Sequence, residues 1–207
     1  MMRVGLAMLQ GARHEHEEAI LSIAKDLQHD VEVVQLRKGD QLDASIHGLI
    51  LPGGESTTMR IAARSEGLLD AIYNWMNDHP NRPVLGTCAG AILLAAPSNK
   101  RAPYINVQIS RNAWGRQRQS FEADIEVKLE RLNSSGVSVQ RTPDVFGHTP
   151  LVVGDAENQN LGDAFPGVFI RAPRFVSDGI GCEVIARLGE EIVGVRDGSK
   201  CAVTFHP

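Results

Sequence analysis

The tightest constraint on this chain lies where a short apolar run, Pro83-Val84-Leu85, meets Gly86-Thr87-Cys88-Ala89-Gly90 and then an apolar helical stretch, residues 89–96. Strand, glycine-flanked turn and helix in so few residues form the G-x-nucleophile-x-G elbow, with Cys in the place of Ser. The central residue of such a turn is strained, and side chains at the two glycine positions would collide with the neighbouring strand and helix. The turn lifts the Cys88 sulfur above the carboxyl edge of a parallel sheet, the edge where α/β sheets hold their ligands. It also sets the thiol at a helix N-terminus, whose partial positive charge favours thiolate over thiol. By itself the pentapeptide is also open to a plain reading, a small buried Cys in a Gly-rich turn.

The surrounding pattern supports the sheet. Val4-Gly5-Leu6-Ala7-Met8-Leu9 is a short apolar run, and residues 14–28 follow with apolar positions at helical spacing. Residues 31–36 and 48–51 read as further strands, the latter stopped by Pro52-Gly53-Gly54; residues 57–63 and 67–77 read as helices. Alternation of this kind predicts a doubly wound, mainly parallel sheet with helices on both faces. The second half changes character. Residues 105–110, 123–128, 167–170, 183–188, 191–196 and 202–205 read as strands joined in places by short turns, which predicts additional antiparallel strands at one edge. Residues 133–162 are rich in Ser, Gly, Pro, Asp and Asn and read as a surface insertion, since unstructured connections of that length are uncommon inside compact domains.

At 207 residues the chain suits one α/β domain, residues 1–207. Lys+Arg 21 against Asp+Glu 25 gives a net charge of −4, which argues against a nucleic-acid binder. No apolar run reaches the roughly 18–20 residues of a membrane-spanning helix, and the N-terminus lacks the pattern of a signal peptide. Three cysteines, Cys88, Cys182 and Cys201, make no disulfide framework and fit a reducing cytoplasm. Cys182 and Cys201 read as structural thiols.

A thiolate nucleophile needs a base. Of seven histidines, His14, His16, His29, His47, His79 and His148 mostly read as solvated surface residues. His206 follows the strand-like run Cys201-Ala202-Val203-Thr204-Phe205, so it sits at a strand's carboxyl end and can face the elbow across the same rim. Acyl transfer also needs donors for an oxyanion. The N–H of Ala89 is the first candidate, and Gly53-Gly54 can bring a second N–H close. Read plainly, Pro52-Gly53-Gly54-Glu55-Ser56-Thr57 is a turn into a helix capped by Ser or Thr.

Leu51-Pro52-Gly53-Gly54, Gly86-Thr87-Cys88-Ala89-Gly90 and Thr204-Phe205-His206-Pro207 together resemble the triad glutamine amidotransferases (class I). Met8-Leu9-Gln10-Gly11, Glu55-Ser56-Thr57-Thr58, Arg111-Asn112-Ala113-Trp114-Gly115-Arg116-Gln117, Ser120-Phe121-Glu122 and Phe169-Ile170-Arg171-Ala172-Pro173 narrow the resemblance to the glutaminase subunits of pyridoxal 5′-phosphate synthase, the PdxT/SNO family. The resemblance covers nearly the whole chain apart from the insertion. It implies a flavodoxin-like fold, Cys88 as nucleophile, His206 as base, and Gly54 and Ala89 as oxyanion donors. Gly54, Glu55, Ser56, Arg111, Ile170 and Arg171 would line a glutamine pocket, a guanidinium being suited to hold an α-carboxylate. The implied reaction converts L-glutamine to L-glutamate and ammonia without metal or cofactor. The ammonia passes to a synthase subunit in a hetero-oligomeric complex, and docking activates the glutaminase.

Two departures accompany the match. The family pattern runs His-Pro-Glu, the Glu completing the triad, whereas this sequence stops at Pro207. An imidazole without that orienting carboxylate is expected to give weak activity. The segment 133–162 is longer than the family pattern. Two rivals share part of the evidence: the glutaminase subunit of imidazole glycerol phosphate synthase, opposed by the Arg111 and Phe169 runs, and a non-catalytic flavodoxin-like module with a redox-reactive Cys88.

Overall fold

A computed structural model describes residues 1–9, 13–98, 101–111, 113–114, 120–128 and 164–207. The insertion read at 133–162 lies outside the described residues. In chain order the elements are β1 (Met2–Ala7), α1 (Arg13–Asp26), β2 (Val31–Leu36), β3 (Gly48–Leu51), α2 (Ser56–Glu66), α3 (Leu68–Asp78), β4 (Val84–Thr87), α4 (Ala89–Ala95), β5 (Val107–Ser110) and β6 (Phe121–Val127). β7 (Ala164–Phe169), β8 (Arg174–Ile180), β9 (Glu183–Leu188), β10 (Glu191–Asp197) and β11 (Lys200–Val203) follow.

Nine strands form one sheet in the order β2-β1-β3-β4-β11-β10-β9-β6-β7. The first five pair in parallel. The step from β1 to β2 runs one way along the sheet and the step from β3 to β4 the other, so right-handed crossovers send α1 and the α2–α3 pair to opposite faces. The doubly wound parallel core is the one the first half of the sequence predicts. β10, β9, β6 and β7 extend it by antiparallel pairing at the β11 edge. β8 was not foreseen from the sequence; it pairs antiparallel with β5 in a separate two-stranded sheet. Its run Arg174-Phe175-Val176-Ser177-Asp178 mixes apolar and polar positions, which hides the strand period.

The main core forms where α3 and α4 lay apolar faces on the parallel strands. Leu68, Ile72, Trp75 and Met76 of α3 pack with Leu93 and Leu94 of α4 and with Leu36, Leu49, Leu51 and Val84 from the strands. Every residue of α4 is buried, which is why the helix after the elbow is wholly apolar. A second cluster under the antiparallel extension stacks Phe121 on Phe169 with ring centroids 4.7 Å apart, and Phe205 packs on Phe169 at 5.8 Å. That cluster matters for the site, because it fixes the residue before His206. Among the described residues no helix is long and apolar enough to cross a membrane.

Candidate active site

At the end of β4 the chain turns through Cys88 with φ 48° and ψ −104°, a conformation side chains rarely adopt. The Cys88 N–H donates to the Val203 carbonyl at 2.8 Å, which ties the elbow to the end of β11. The flanking glycines are sterically required. A Cβ on Gly90 would lie 1.9 Å from the Leu51 carbonyl oxygen, and one on Gly86 would lie 2.7 Å from the Gly90 backbone. α4 therefore meets β3 backbone to backbone at Leu51, three residues before Gly54.

The Cys88 thiol is 4% exposed. Burial pushes it up to about 11, while N–H groups of Ala89 and Gly54 that donate toward the sulfur pull it back. The thiolate expected from the helix N-terminus is therefore not the resting form. The seven-residue α4 supplies a weak dipole, and desolvation outweighs it. The same two N–H groups are the ones proposed from sequence as oxyanion donors.

His206 lies one residue beyond the buried Phe205 and is pinned through its backbone. Its N–H donates to the Val168 carbonyl at 2.9 Å, and the Val168 N–H donates back at 2.9 Å. β11 thus ends at Val203, earlier than the sequence suggests, and the last residues hand over to β7. The imidazole rests against Gly53, where an added Cβ would lie 2.1 Å from its Cε1. Burial lowers the His206 pKa below its ordinary value, with Glu15 pulling it up more weakly. The ring is therefore held in the neutral form a general base requires.

These groups open onto a cleft of about 360 Å³, within the roughly 300–1,000 Å³ of small-ligand sites. All nine residues named from sequence line it: Gly54, Glu55, Ser56, Cys88, Ala89, Arg111, Ile170, Arg171 and His206. Arg171, like Cys88, has a left-handed backbone, with φ 49°. Thr57, Ile92 and Pro173 complete the lining. Ile92 carried no chemical signal, although its position four residues after Cys88 on α4 places it over the same turn. A larger groove of about 640 Å³ is lined mostly by apolar side chains such as Val4, Leu49, Leu85 and Phe205. It lacks the nucleophile elbow and the paired arginines, so the smaller cleft is the chemical candidate.

Two further expectations are overturned. The cap of α2 is Glu55 rather than Ser or Thr, its carboxylate accepting from the Thr57 and Thr58 N–H groups at 3.0 and 2.7 Å. The Thr58 hydroxyl, donating to the same carboxylate at 2.7 Å, and these two N–H bonds hold Glu55 down at about 2. And His16 is buried, not solvated: it is 8% exposed, and its Nε2 lies 3.2 Å from Thr87 Oγ1. Nothing in the charged run Arg13-His14-Glu15-His16-Glu17-Glu18 marks one residue as inward-facing. Among the described residues no cluster of His, Cys, Asp and Glu is placed to hold a metal ion.

A family model for the SNO glutamine amidotransferase family matches residues 6–153, well over half of the chain. A pyridoxal 5′-phosphate synthase subunit PdxT of Methanothermobacter thermautotrophicus is 32% identical over 210 residues, covering 100% of this chain and 89% of that protein. The PdxT subunit of Pelotomaculum thermopropionicum is 36% identical, covering 100% of this chain and 87% of that protein. A crystal structure of a glutamine amidotransferase, 37% identical, superposes with a TM-score of 0.66 over 99% of this chain and 89% of that one. A glutamine amidotransferase from Thermotoga maritima shares only 14% identity but still gives a TM-score of 0.58 over 99% of this chain, a likeness of fold. The chain belongs to the SNO glutamine amidotransferase family.

Proposed function

We propose that the chain is a glutaminase domain that hydrolyses L-glutamine to L-glutamate and ammonia and supplies the ammonia to a pyridoxal 5′-phosphate synthase subunit. The observation that carries this reading is convergence. Cys88 with the Ala89 N–H, the Gly54 N–H and His206 come from three separate segments and meet at one cleft with two arginines.

The steps follow from the geometry. Cys88 rests as a thiol because burial disfavours its thiolate, so attack on the amide carbon is coupled to proton transfer to neutral His206. The oxyanion that forms takes the Gly54 and Ala89 N–H groups. His206 then returns its proton to the leaving nitrogen, ammonia departs, and a thioester remains on Cys88. A water activated by His206 hydrolyses the thioester to glutamate. Arg111 and Arg171 are suited to the substrate α-carboxylate through paired hydrogen bonds, with Gly54, Glu55, Ser56 and Ile170 as walls. No metal or cofactor enters these steps. A buried free thiol serving as nucleophile fits the reducing cytoplasm.

Ammonia release from glutamine, measured with and without a pyridoxal 5′-phosphate synthase, tests the reading. Release is expected to rise with the synthase, and Cys88→Ala is expected to abolish it in both cases. Undiminished release from Cys88→Ala would overturn the assignment.

A further inference from the structure

Near the elbow lies a polar group that the proposed chemistry leaves unused. His16, in the first turns of α1, is buried, and its Nε2 meets Thr87 Oγ1 at 3.2 Å across 71 residues of sequence. Thr87 is fully buried and immediately precedes Cys88; its register partner in β11 is Val203, the residue that accepts the Cys88 N–H. Three residues beyond Val203 stands His206. One hydrogen bond from α1 therefore grips the strand residue that joins the nucleophile's turn to the strand leading to the base.

The elbow needs such a grip. Cys88 is held at φ 48°, and a strained turn persists only where its surroundings over-determine it. The backbone bond to Val203 holds the Cys88 N–H, and the His16–Thr87 bond holds the residue just before it, so the strand side of the turn is gripped twice. The same imidazole is electrostatically exposed to His206. Burial lowers the His16 pKa and His206 lowers it further, while Glu15, the preceding residue on α1, weakly raises both imidazoles. Burial holds His16 below its ordinary pKa, so at neutral pH it bonds Thr87 uncharged and adds no positive charge beside the base.

We propose that His16 is a positioning residue for the Cys88–His206 pair, locking the elbow through Thr87. This rests on the glutaminase reading above, and the tests separate the two.

Thr87→Val removes the hydroxyl while keeping the shape, and His16→Phe removes the ring nitrogens. Each is expected to lower kcat for glutamine hydrolysis, measured with the synthase present, by about 10- to 100-fold while KM moves little, the range expected when reacting groups are displaced by about an ångström. The double variant is expected to be no worse than either single, because both remove one bond. His16→Gln, whose amide can reach Thr87, is expected to recover most of the rate.

The rate of labelling of Cys88 by a diazoketone analogue of glutamine gives a second readout, needing no turnover. It is expected to fall in Thr87→Val and recover in His16→Gln. If Thr87→Val and His16→Phe keep wild-type rates of turnover and labelling while Cys88→Ala is inert, the positioning role is wrong and the glutaminase reading stands. If His16→Phe fails to fold, Thr87→Val and His16→Gln decide alone. Turnover persisting in Cys88→Ala overturns both.

Discussion

At the scale of single residues the site is defined by what is missing. Gly53 has no side chain because the His206 ring occupies that space, with Cε1 2.1 Å from where a Cβ would sit. Gly53→Ala is therefore expected to displace the imidazole and lower glutamine hydrolysis by about 100-fold. The main core does not involve this contact, so thermal unfolding followed by circular dichroism should show a folded protein. Wild-type turnover in Gly53→Ala would mean that the ring position does not matter. Cys88 makes the complementary point. The thiol is buried enough that its own ionisation is pushed up to about 11, so the proposed reaction generates the nucleophile by proton transfer to His206 rather than from a standing thiolate. The family signature around Cys88 says that a nucleophile belongs there; it does not state its protonation.

At the scale of elements, α2 carries the clearest prediction. Its N-terminal N–H groups are capped by the Glu55 carboxylate, which also lines the cleft. Glu55→Ala is expected to destabilise the protein by about 1 kcal/mol, as loss of an N-cap does, and to loosen the wall that carries Ser56 and Thr57. Chemical denaturation measures the first effect and KM for glutamine the second. Because the folded state holds Glu55 down at about 2, against an ordinary 4.5, its contribution is present above about 4.5 and is lost as pH falls toward 2. The group faces solvent, which screens it, so the pH effect is smaller than the shift alone suggests. Denaturation midpoints of wild type and Glu55→Ala should therefore converge as pH drops through that window. The antiparallel extension acts on function in a different way, since β7 clamps His206 at Val168 and the Phe121–Phe169–Phe205 stack anchors the residue beside it.

For the whole molecule, the buried titrating groups of the site bracket a pH window. His16 and His206 both have pKa values lowered from 6.5 by burial. The unfolded chain then binds more protons below 6.5, and the stability from neutral burial is lost as pH falls through that region. Cys88 is raised from 9.0 to about 11, so its contribution is full below 9 and is lost as pH climbs toward 11. The melting temperature is expected to hold between about 6.5 and 9, with the alkaline decline softened in Cys88→Ala and the acid decline softened in His16→Gln. Melting curves across pH check both. Much of this molecule was legible in the sequence: the strand–helix alternation, the elbow, the antiparallel second half, and nine residues that do line one cleft. Those features are local patterns, set by hydrophobic period, by glycines where backbones must touch, and by short motifs. What the tertiary structure alone decided is burial and long-range pairing. It turned His16 inward from a uniformly charged run, raised Cys88 by desolvation despite its helix N-terminus, and moved the α2 cap to Glu55. It also ended β11 three residues before His206 by pairing that histidine with Val168. A residue's solvent, and the partner it meets across 71 positions of chain, are properties of the packed whole, and no window of sequence contains them.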